Sequence, residues 1–158
     1  MKDRTYRYYK GQPLYPFGHG LSYLTFHYEN LRTSAETIAQ NKSIRVEVDL
    51  VNGGSSAGDE IVQLYVSDLK ASVPVPIRSL ARFQRHHLEA GEKLTIAFEL
   101  SLNDFAIIDE SGRRIVEPGT FEISIGGGQP QVDLTAPTTS NVLTKTITFG
   151  GEQTLTLP

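Results

Sequence analysis

Two adjacent pairs of acidic residues are the first places in this sequence where catalysis could occur. They are Asp59-Glu60 and Asp109-Glu110. Two carboxyl groups about 5–5.5 Å apart can act as acid and nucleophile on a glycosidic bond. Both pairs lie at predicted strand or turn ends, and neighbouring side chains on a strand point to opposite faces. We therefore interpret both pairs as solvated loop charges, and we predict no catalytic residue in this chain.

Two further patterns resemble parts of ligand-binding sites, but the other residues that such sites need are missing. His86 and His87 could ligate a metal, yet the chain has no Cys and no acidic cluster lies near them. Asn52-Gly53-Gly54 follows a predicted strand, but no helix and no Lys-Ser/Thr pair come after it, as a phosphate loop requires. We interpret these histidines as surface or interface residues, and we predict no metal and no cofactor.

The N-terminal residues combine aromatic side chains with proline and glycine. Eight of the fourteen Phe and Tyr residues fall within the first 28 positions. Such a segment keeps a fixed, irregular path only if its rings are covered. We predict that it packs at an interdomain junction, with these candidate interface residues: Tyr15, Pro16, Phe17, Gly18, His19, Gly20, Leu21, Ser22 and Tyr23. For His19 we favour a hydrogen bond across the junction, and a substrate contact is the alternative.

Composition excludes several classes of protein. The chain has 158 residues, 39% hydrophobic and 21% charged, which is typical of one globular domain. A net charge of −3 without a basic stripe indicates neither a nucleic-acid nor a membrane partner. No apolar run approaches 18 residues, and the N-terminus lacks the apolar region of a signal peptide. The absence of Cys excludes disulfides, thiolate metal sites and cysteine nucleophiles.

Apolar and polar residues alternate over most of the chain, which predicts short β-strands. Ser101 and Asp104 predict one helical turn between two of them, and Pro74 and Pro76 predict a loop. The predicted strands are Leu24–Glu29, Ile44–Leu50, Ile61–Val66, Leu80–Arg85, Lys93–Leu100, Ala106–Asp109, Arg114–Val116 and Thr120–Ile125, with added edge strands at Val142–Phe149 and Thr154–Leu157.

About seven short strands without a long amphipathic helix predict an all-β fold. The expected architecture is an immunoglobulin-like or fibronectin type III-like antiparallel β-sandwich. We divide the chain into an irregular segment (1–23), the sandwich (24–130) and a tail rich in Thr, Ser, Pro and Gly (131–158).

Residues 6–130 also resemble the C-terminal fibronectin type III-like domain of family-3 glycoside hydrolases, the β-glucosidase and β-xylosidase group. The first stretch is similar to the YPFGHGLSYTTF segment of that family, with Leu24 where the family usually has Thr. Four stretches in this order carry the resemblance: Tyr6-Arg7-Tyr8 with Pro13–Phe26; Ala57–Val66; Pro76–Leu80 with Phe83 and Leu88–Leu100; and Gly119–Phe121 through Gly126–Pro130.

The resemblance implies that this chain is not the catalytic part of such an enzyme. In that family the nucleophile Asp belongs to a (β/α)8 barrel and the acid/base, typically a Glu, to an α/β sandwich. Both would lie upstream of Met1, and no residue of this chain matches either position. The implied localisation is periplasmic or extracellular for a bacterial parent enzyme.

We therefore expect a non-catalytic accessory domain whose partner is the catalytic part of the parent glycosidase. The isolated chain is expected to be able to self-associate through the exposed aromatic segment. One alternative is a carbohydrate-binding module that anchors the enzyme on plant polysaccharide. Another is a free adhesion-type module, which leaves the N-terminal segment unexplained.

Overall fold

Alternating apolar residues build two sheets that share one core. The computed structural model describes residues 5–11, 13, 15, 17, 19–39, 42–130, 140–151 and 153–155. The smaller main sheet is antiparallel, in the order β1-β3-β6. Its strands are β1 (Phe26–Thr33), β3 (Ile44–Asn52) and β6 (Lys93–Leu100).

The second main sheet has five strands in the order β2-β10-β9-β4-β5. Strands β2 and β10 run parallel, and the other neighbours are antiparallel. Strand β5 therefore lies at one edge of the sheet and the two-residue β2 at the other. The strands are β2 (Thr37–Ile38), β4 (Gly58–Asp68), β5 (Ser79–Leu88), β9 (Gly119–Gly126) and β10 (Val142–Phe149).

Short elements complete the described part of the chain. A third sheet joins β7 (Ile107–Ile108), β8 (Arg114–Val116) and β11 (Gln153–Leu155) in the order β11-β8-β7. A 3-10 helix covers Leu102–Phe105, and an α-helix covers Thr5–Tyr8. No helix among the described residues is long and apolar enough to cross a bilayer.

The core lies between the two main sheets and contains the apolar residues that alternate along their strands. Val48 pairs with Ile96 inside the three-stranded sheet, and both are buried. The opposite sheet contributes side chains from β4, β9 and β10 to the same cluster. The largest fully buried side chains are Phe26, Phe121, Ile44, Leu50, Leu64, Leu88, Leu100, Ile123, Ile125, Ile147, Val46 and Val48.

The all-β sandwich is confirmed, and the helical turn and the β7–β8 hairpin occur where the sequence predicts them. Several strand bounds differ from the predicted ones: β4 and β5 extend at both ends beyond Ile61–Val66 and Leu80–Arg85, and β1 covers Phe26–Thr33 where Leu24–Glu29 was predicted. The short helix Thr5–Tyr8 and strand β2 were not predicted. Two-residue β2 is too short for period-two alternation to register.

Strand β10 was predicted as an added edge strand of the tail, and it lies inside the sheet instead. All eight of its residues pair with β9, and Thr148 and Phe149 also pair with β2 on the other side. Ile147 and Phe149 are buried in the core. This strand therefore completes the sandwich, whereas the division of the chain into 1–23, 24–130 and 131–158 stays a prediction.

Candidate functional site

The described residues between Thr5 and Tyr23 form a segment that we call the strap. Two backbone hydrogen bonds attach it to the sandwich. The amide of Ile77 donates to the carbonyl of Arg7 (2.9 Å), and the amide of Gln129 donates to the carbonyl of Phe17 (3.3 Å). After the strap, Leu24 packs against the hydrophobic core. The domain that follows the strap therefore holds its backbone at these two points.

Four large apolar side chains of the strap point into solvent. Phe17 is 63% exposed, Tyr15 76% and Leu21 94%, and Tyr23 is fully exposed. His19 is half-buried, and its ring lies 5.2 Å from the ring of Tyr15. Of the other predicted interface residues, Gly20 and Ser22 are exposed, whereas Pro16 and Gly18 lie outside the described residues. The cover that the sequence predicts for these rings is not supplied by the described part of this chain.

Beside the strap, the outer face of the five-stranded sheet contains buried polar side chains. Gln63 donates through Nε2 to the carbonyl of Gly127 (3.0 Å) and accepts a hydrogen bond from the Tyr65 hydroxyl. Burial raises the pKa of Tyr65 to about 12. Arg78 donates to the carbonyl of Pro130 (2.7 Å), which holds the Gly127–Pro130 loop on the sheet. The same loop carries the strap, through the bond between Gln129 and Phe17.

The first acidic pair lies in strand β4 and not in a loop, so that part of the prediction was wrong. Its side chains diverge, as expected for neighbours on a strand. Asp59 bonds Arg85 and, at 2.7 Å, Nδ1 of His87; Arg85 and then His87 lower its pKa. Glu60 accepts a hydrogen bond from the Tyr28 hydroxyl (2.8 Å), and burial raises its pKa. The two carboxyl groups do not converge on one site.

The second acidic pair lies at a turn, in agreement with the prediction. Asp109 Oδ1 accepts hydrogen bonds from the amides of Ser111 (2.9 Å) and Arg113 (2.8 Å). The bond from the Arg113 amide is the main reason that the pKa of Asp109 is lowered. Glu110 is exposed. Asp109 therefore stabilises the turn between β7 and β8.

The two adjacent histidines also diverge. His87 faces Asp59, and His86 Nε2 lies 3.0 Å from Oε1 of Gln84. Within the described residues, no group of three or more His, Cys, Asp or Glu side chains is arranged to hold a metal ion.

One link between the sheets was not predicted. The side chain of Asn141 accepts from the amide of Tyr28 (2.7 Å) and donates to its carbonyl (3.0 Å). It therefore pairs like a backbone residue with the free edge of β1. The two residues are 113 positions apart, so no local pattern could have indicated the contact.

A cavity of about 330 Å³ lies between the Pro74–Pro76 loop and the 3-10 helix. Two of its lining residues, Asp68 and Asp104, are acidic, and the sequence did not indicate either as a site. Both oxygens of Asp104 accept hydrogen bonds from Arg82 (2.6 and 2.9 Å). Asp68 accepts from the amide of Lys70 (2.9 Å), and burial raises its pKa. The structure thus gives each acid a local bonding role.

The outer face of the three-stranded sheet is a network of charges centred on Asp49. This buried carboxylate accepts hydrogen bonds from Asn30 (3.0 Å), Thr95 (2.9 Å) and Arg32 (3.2 Å), and Lys93 Nζ lies 3.2 Å away. The bonds from Asn30 and then Thr95 hold its pKa well below the usual range. We call these five residues the Asp49 network.

Comparison with known proteins gives the same domain type as the fold. Residues 60–129 match the family of fibronectin type III-like domains. A β-xylosidase from Formosa agariphila is 41% identical over 129 residues, which are 82% of this chain and 18% of that protein. The thermostable β-glucosidase B of Acetivibrio thermocellus is 44% identical over 125 residues, or 77% of this chain and 17% of that protein.

Solved structures of longer proteins contain the same fold. A β-glucosidase from Erythrobacter marinus superposes with a TM-score of 0.76 at 37% identity, covering 92% of this chain and 18% of that one. β-Glucosidase 3B from Thermotoga neapolitana gives a TM-score of 0.75 at 29% identity, covering 91% and 18%. The chain thus spans less than a fifth of the length of each of these relatives.

Proposed function

We propose, from the premise that this chain is a fibronectin type III-like domain of the family-3 glycoside hydrolases, that it is a non-catalytic accessory domain. Its role is to stabilise the catalytic part of a β-glucosidase or β-xylosidase. The strap is the contact surface, and Tyr15, Phe17, Leu21 and Tyr23 are its main apolar side chains.

The observation that carries this proposal is the contrast between the backbone and the side chains of the strap. Its backbone is hydrogen-bonded to the sandwich at Arg7 and Phe17, whereas its large apolar side chains are exposed. Burying a large apolar side chain contributes roughly 1.5–3 kcal/mol, so four of them contribute roughly 6–12 kcal/mol before entropic costs. That amount is comparable to the whole stability of a typical domain.

The bonding of the acidic residues supports the non-catalytic part of the proposal. Glycoside hydrolysis by two carboxylates needs both groups on one substrate. Asp59 and Glu60 point to opposite sides of β4, and Asp104 and Asp109 are bonded by arginines of this chain. The purified chain is expected to show no turnover of aryl β-glucosides or aryl β-xylosides. Turnover that disappears when one of its acids is replaced would refute the proposal.

The interface is tested by comparing one variant in two settings. Tyr15→Ala and Phe17→Ala should leave the melting temperature of the isolated chain unchanged, because both rings are exposed there. In the full-length enzyme they should lower the melting temperature more than they change substrate preference. A change in preference without loss of stability would place the strap at the substrate, as the alternative for His19 requires.

A carbohydrate-binding module is the second candidate, because Tyr15, Phe17 and Tyr23 expose three aromatic rings on one segment. Exposed rings can bind sugar faces as well as protein. The isolated chain is mixed with insoluble xylan or cellulose, and the supernatant is measured. Retention that is lost in Tyr23→Ala would favour the module, and no retention favours the accessory role.

A further inference from the structure

A second group of exposed apolar side chains lies outside the strap, on the outer face of β4 and β5. Phe83 is 67% exposed, Ile61 48% and Leu80 40%. The strand register places them on one face. Phe83 is opposite Gln63 and Leu80 is opposite Tyr65, while Ile61 precedes Gln63 by two positions. We call Ile61, Leu80 and Phe83 the β5 patch.

A series of contacts connects the β5 patch to the strap. Gln63 lies between them, because it pairs with Phe83 of β5 on one side and with Gly126 of β9 on the other. Its side chain donates to the carbonyl of Gly127, and two residues further the amide of Gln129 donates to Phe17. Gln63 and the Gly127–Pro130 loop therefore link the two regions on the same side of the domain.

The charges around the β5 patch are paired within the chain. Arg85 and His87 both contact Asp59 on the same face. The patch thus has a polar rim whose side chains are already paired within the chain. Burial of the apolar side chains inside this rim is energetically favourable. An apolar centre with a polar rim is the usual anatomy of a protein–protein interface.

We propose that the β5 patch is a second part of the surface that binds the catalytic portion of the parent enzyme, and this inference rests on the proposed function. The occupant is an apolar surface of the same polypeptide, since more than four-fifths of each relative lies outside the matched region. Covalent connection gives that surface a high effective concentration, so a patch of modest area is sufficient.

A second copy of the chain fits this edge poorly. Strand β5 is an edge strand with a bulge beside Ala81 and with Arg82 and Arg85 along it. Bulges and charged side chains disfavour edge-to-edge pairing of strands. The partner therefore covers the face of the sheet without extending it.

The test uses the full-length enzyme and compares Phe83→Ser with Tyr23→Ser. Leu69→Ser is the matched control, because Leu69 is half-exposed and lies beyond the end of β4, outside the patch. Phe83→Ser is expected to lower the melting temperature by more than about 2 °C. The control is expected to leave it unchanged, and so is Phe83→Ser in the isolated chain. Amides of residues 79–88 should exchange more slowly in the full-length enzyme than in the isolated chain.

The outcomes separate this inference from the proposed function. If Tyr23→Ser destabilises the enzyme and Phe83→Ser does not, the β5 patch is not part of the interface although the accessory role stands. If neither does, both proposals fail. Equal destabilisation of the isolated chain by Phe83→Ser would show a local packing role and overturn the inference. Concentration-dependent dimerisation of the isolated chain that Phe83→Ser abolishes would assign the patch to a second copy instead.

Discussion

The two outer faces of the sandwich differ in the side chains that they expose to solvent. On the three-stranded sheet, the Asp49 network pairs its polar and charged groups with each other. On the five-stranded sheet, polar groups are buried beneath the Gly127–Pro130 loop, and apolar side chains of the strap and the β5 patch are exposed. The first face pairs its charges within the chain, and by our proposal the second is covered by the catalytic part of the parent enzyme.

This difference also shows which contacts are intrinsic to the domain. Hydrogen bonds beneath the loop and within the Asp49 network should be measurable in the isolated chain. Contributions of the strap rings should appear only in the longer protein, because their side chains are already solvated here. Variants of the isolated chain therefore measure the hydrogen bonds beneath the loop and within the Asp49 network separately from the strap.

Replacing Gln63 with Ala should have the largest effect. The variant leaves the buried hydroxyl of Tyr65 and the half-buried carbonyl of Gly127 without their partner. Each unsatisfied buried group costs about 1–3 kcal/mol, so the free energy of unfolding should fall by about 2–6 kcal/mol. Urea unfolding measures this directly. Gln84→Ala is the control, since Gln84 is an exposed residue on the neighbouring strand. Equal effects of the two variants would show that the hydrogen bonds of Gln63 beneath the Gly127–Pro130 loop do not stabilise the domain.

The strands of the sandwich could be predicted because their signal is local. Ile44, Val46, Val48 and Leu50 alternate with polar residues, and all four are buried as the alternation predicts. The same local reasoning identified the diverging side chains of Asp59 and Glu60. Period-two alternation reports which residues face the core, and it is insensitive to which strands become neighbours.

The contacts that define the outer faces could not be predicted in the same way. Gln63 and Gly127 are 64 positions apart, and Asn141 and Tyr28 are 113 apart. Gln63 is polar, which suggests exposure, yet it is buried beneath the Gly127–Pro130 loop, whereas Asn141 is exposed as its type suggests. The concentration of rings before Leu24 predicts a covered surface, and because the described rings are exposed in this chain, that cover stays a prediction.

Asp49→Asn should have the next largest effect, and its effect should depend on pH. The folded-state pKa of Asp49 is lowered, so the charge stabilises the fold above the ordinary Asp pKa. That contribution is lost as the pH falls through the folded-state pKa. At neutral pH we expect a loss of about 1 kcal/mol, mainly from weaker bonds to Asn30 and Thr95.

The measurement is urea unfolding of Asp49→Asn and wild type from neutral to acidic pH. The two curves should converge as the pH falls. Glu110→Gln, an exposed residue of the β7–β8 turn, serves as the control for a lost charge. A constant difference at all pH values would contradict the assignment to the carboxylate.

Glu60→Gln should have a smaller effect with the opposite sign of pH dependence. The pKa of Glu60 is raised by burial, so its neutral form is favoured in the folded state. Wild-type stability should therefore fall as the pH rises from the ordinary Glu pKa through the raised value. The Gln side chain stays neutral and still accepts from Tyr28, so the variant should lack this step. We expect a difference of about 1 kcal/mol or less above the step.

Tyr28→Phe is the companion variant for this carboxyl group. The Tyr28 hydroxyl donates to Glu60 and thereby limits the rise of its pKa. Without that donor, the pH-dependent step should move to higher pH. NMR titration of the Glu60 side chain follows the shift directly, and an unchanged titration would exclude the hydrogen bond as a cause.

Arg45→Ala should have the smallest effect and sets the lower limit of the comparison. Arg45 pairs with Glu47 (2.9 Å) and Glu99 (3.6 Å) at the solvent side of the three-stranded sheet. Exposed ion pairs are screened by salt and contribute little, because holding two long side chains together costs entropy. The melting temperature should therefore stay within experimental error of wild type in both low and high NaCl. A large loss at low salt that NaCl removes would show that the charges of this face act as one coupled unit, in contrast to the apolar side chains that we propose are covered on the other face.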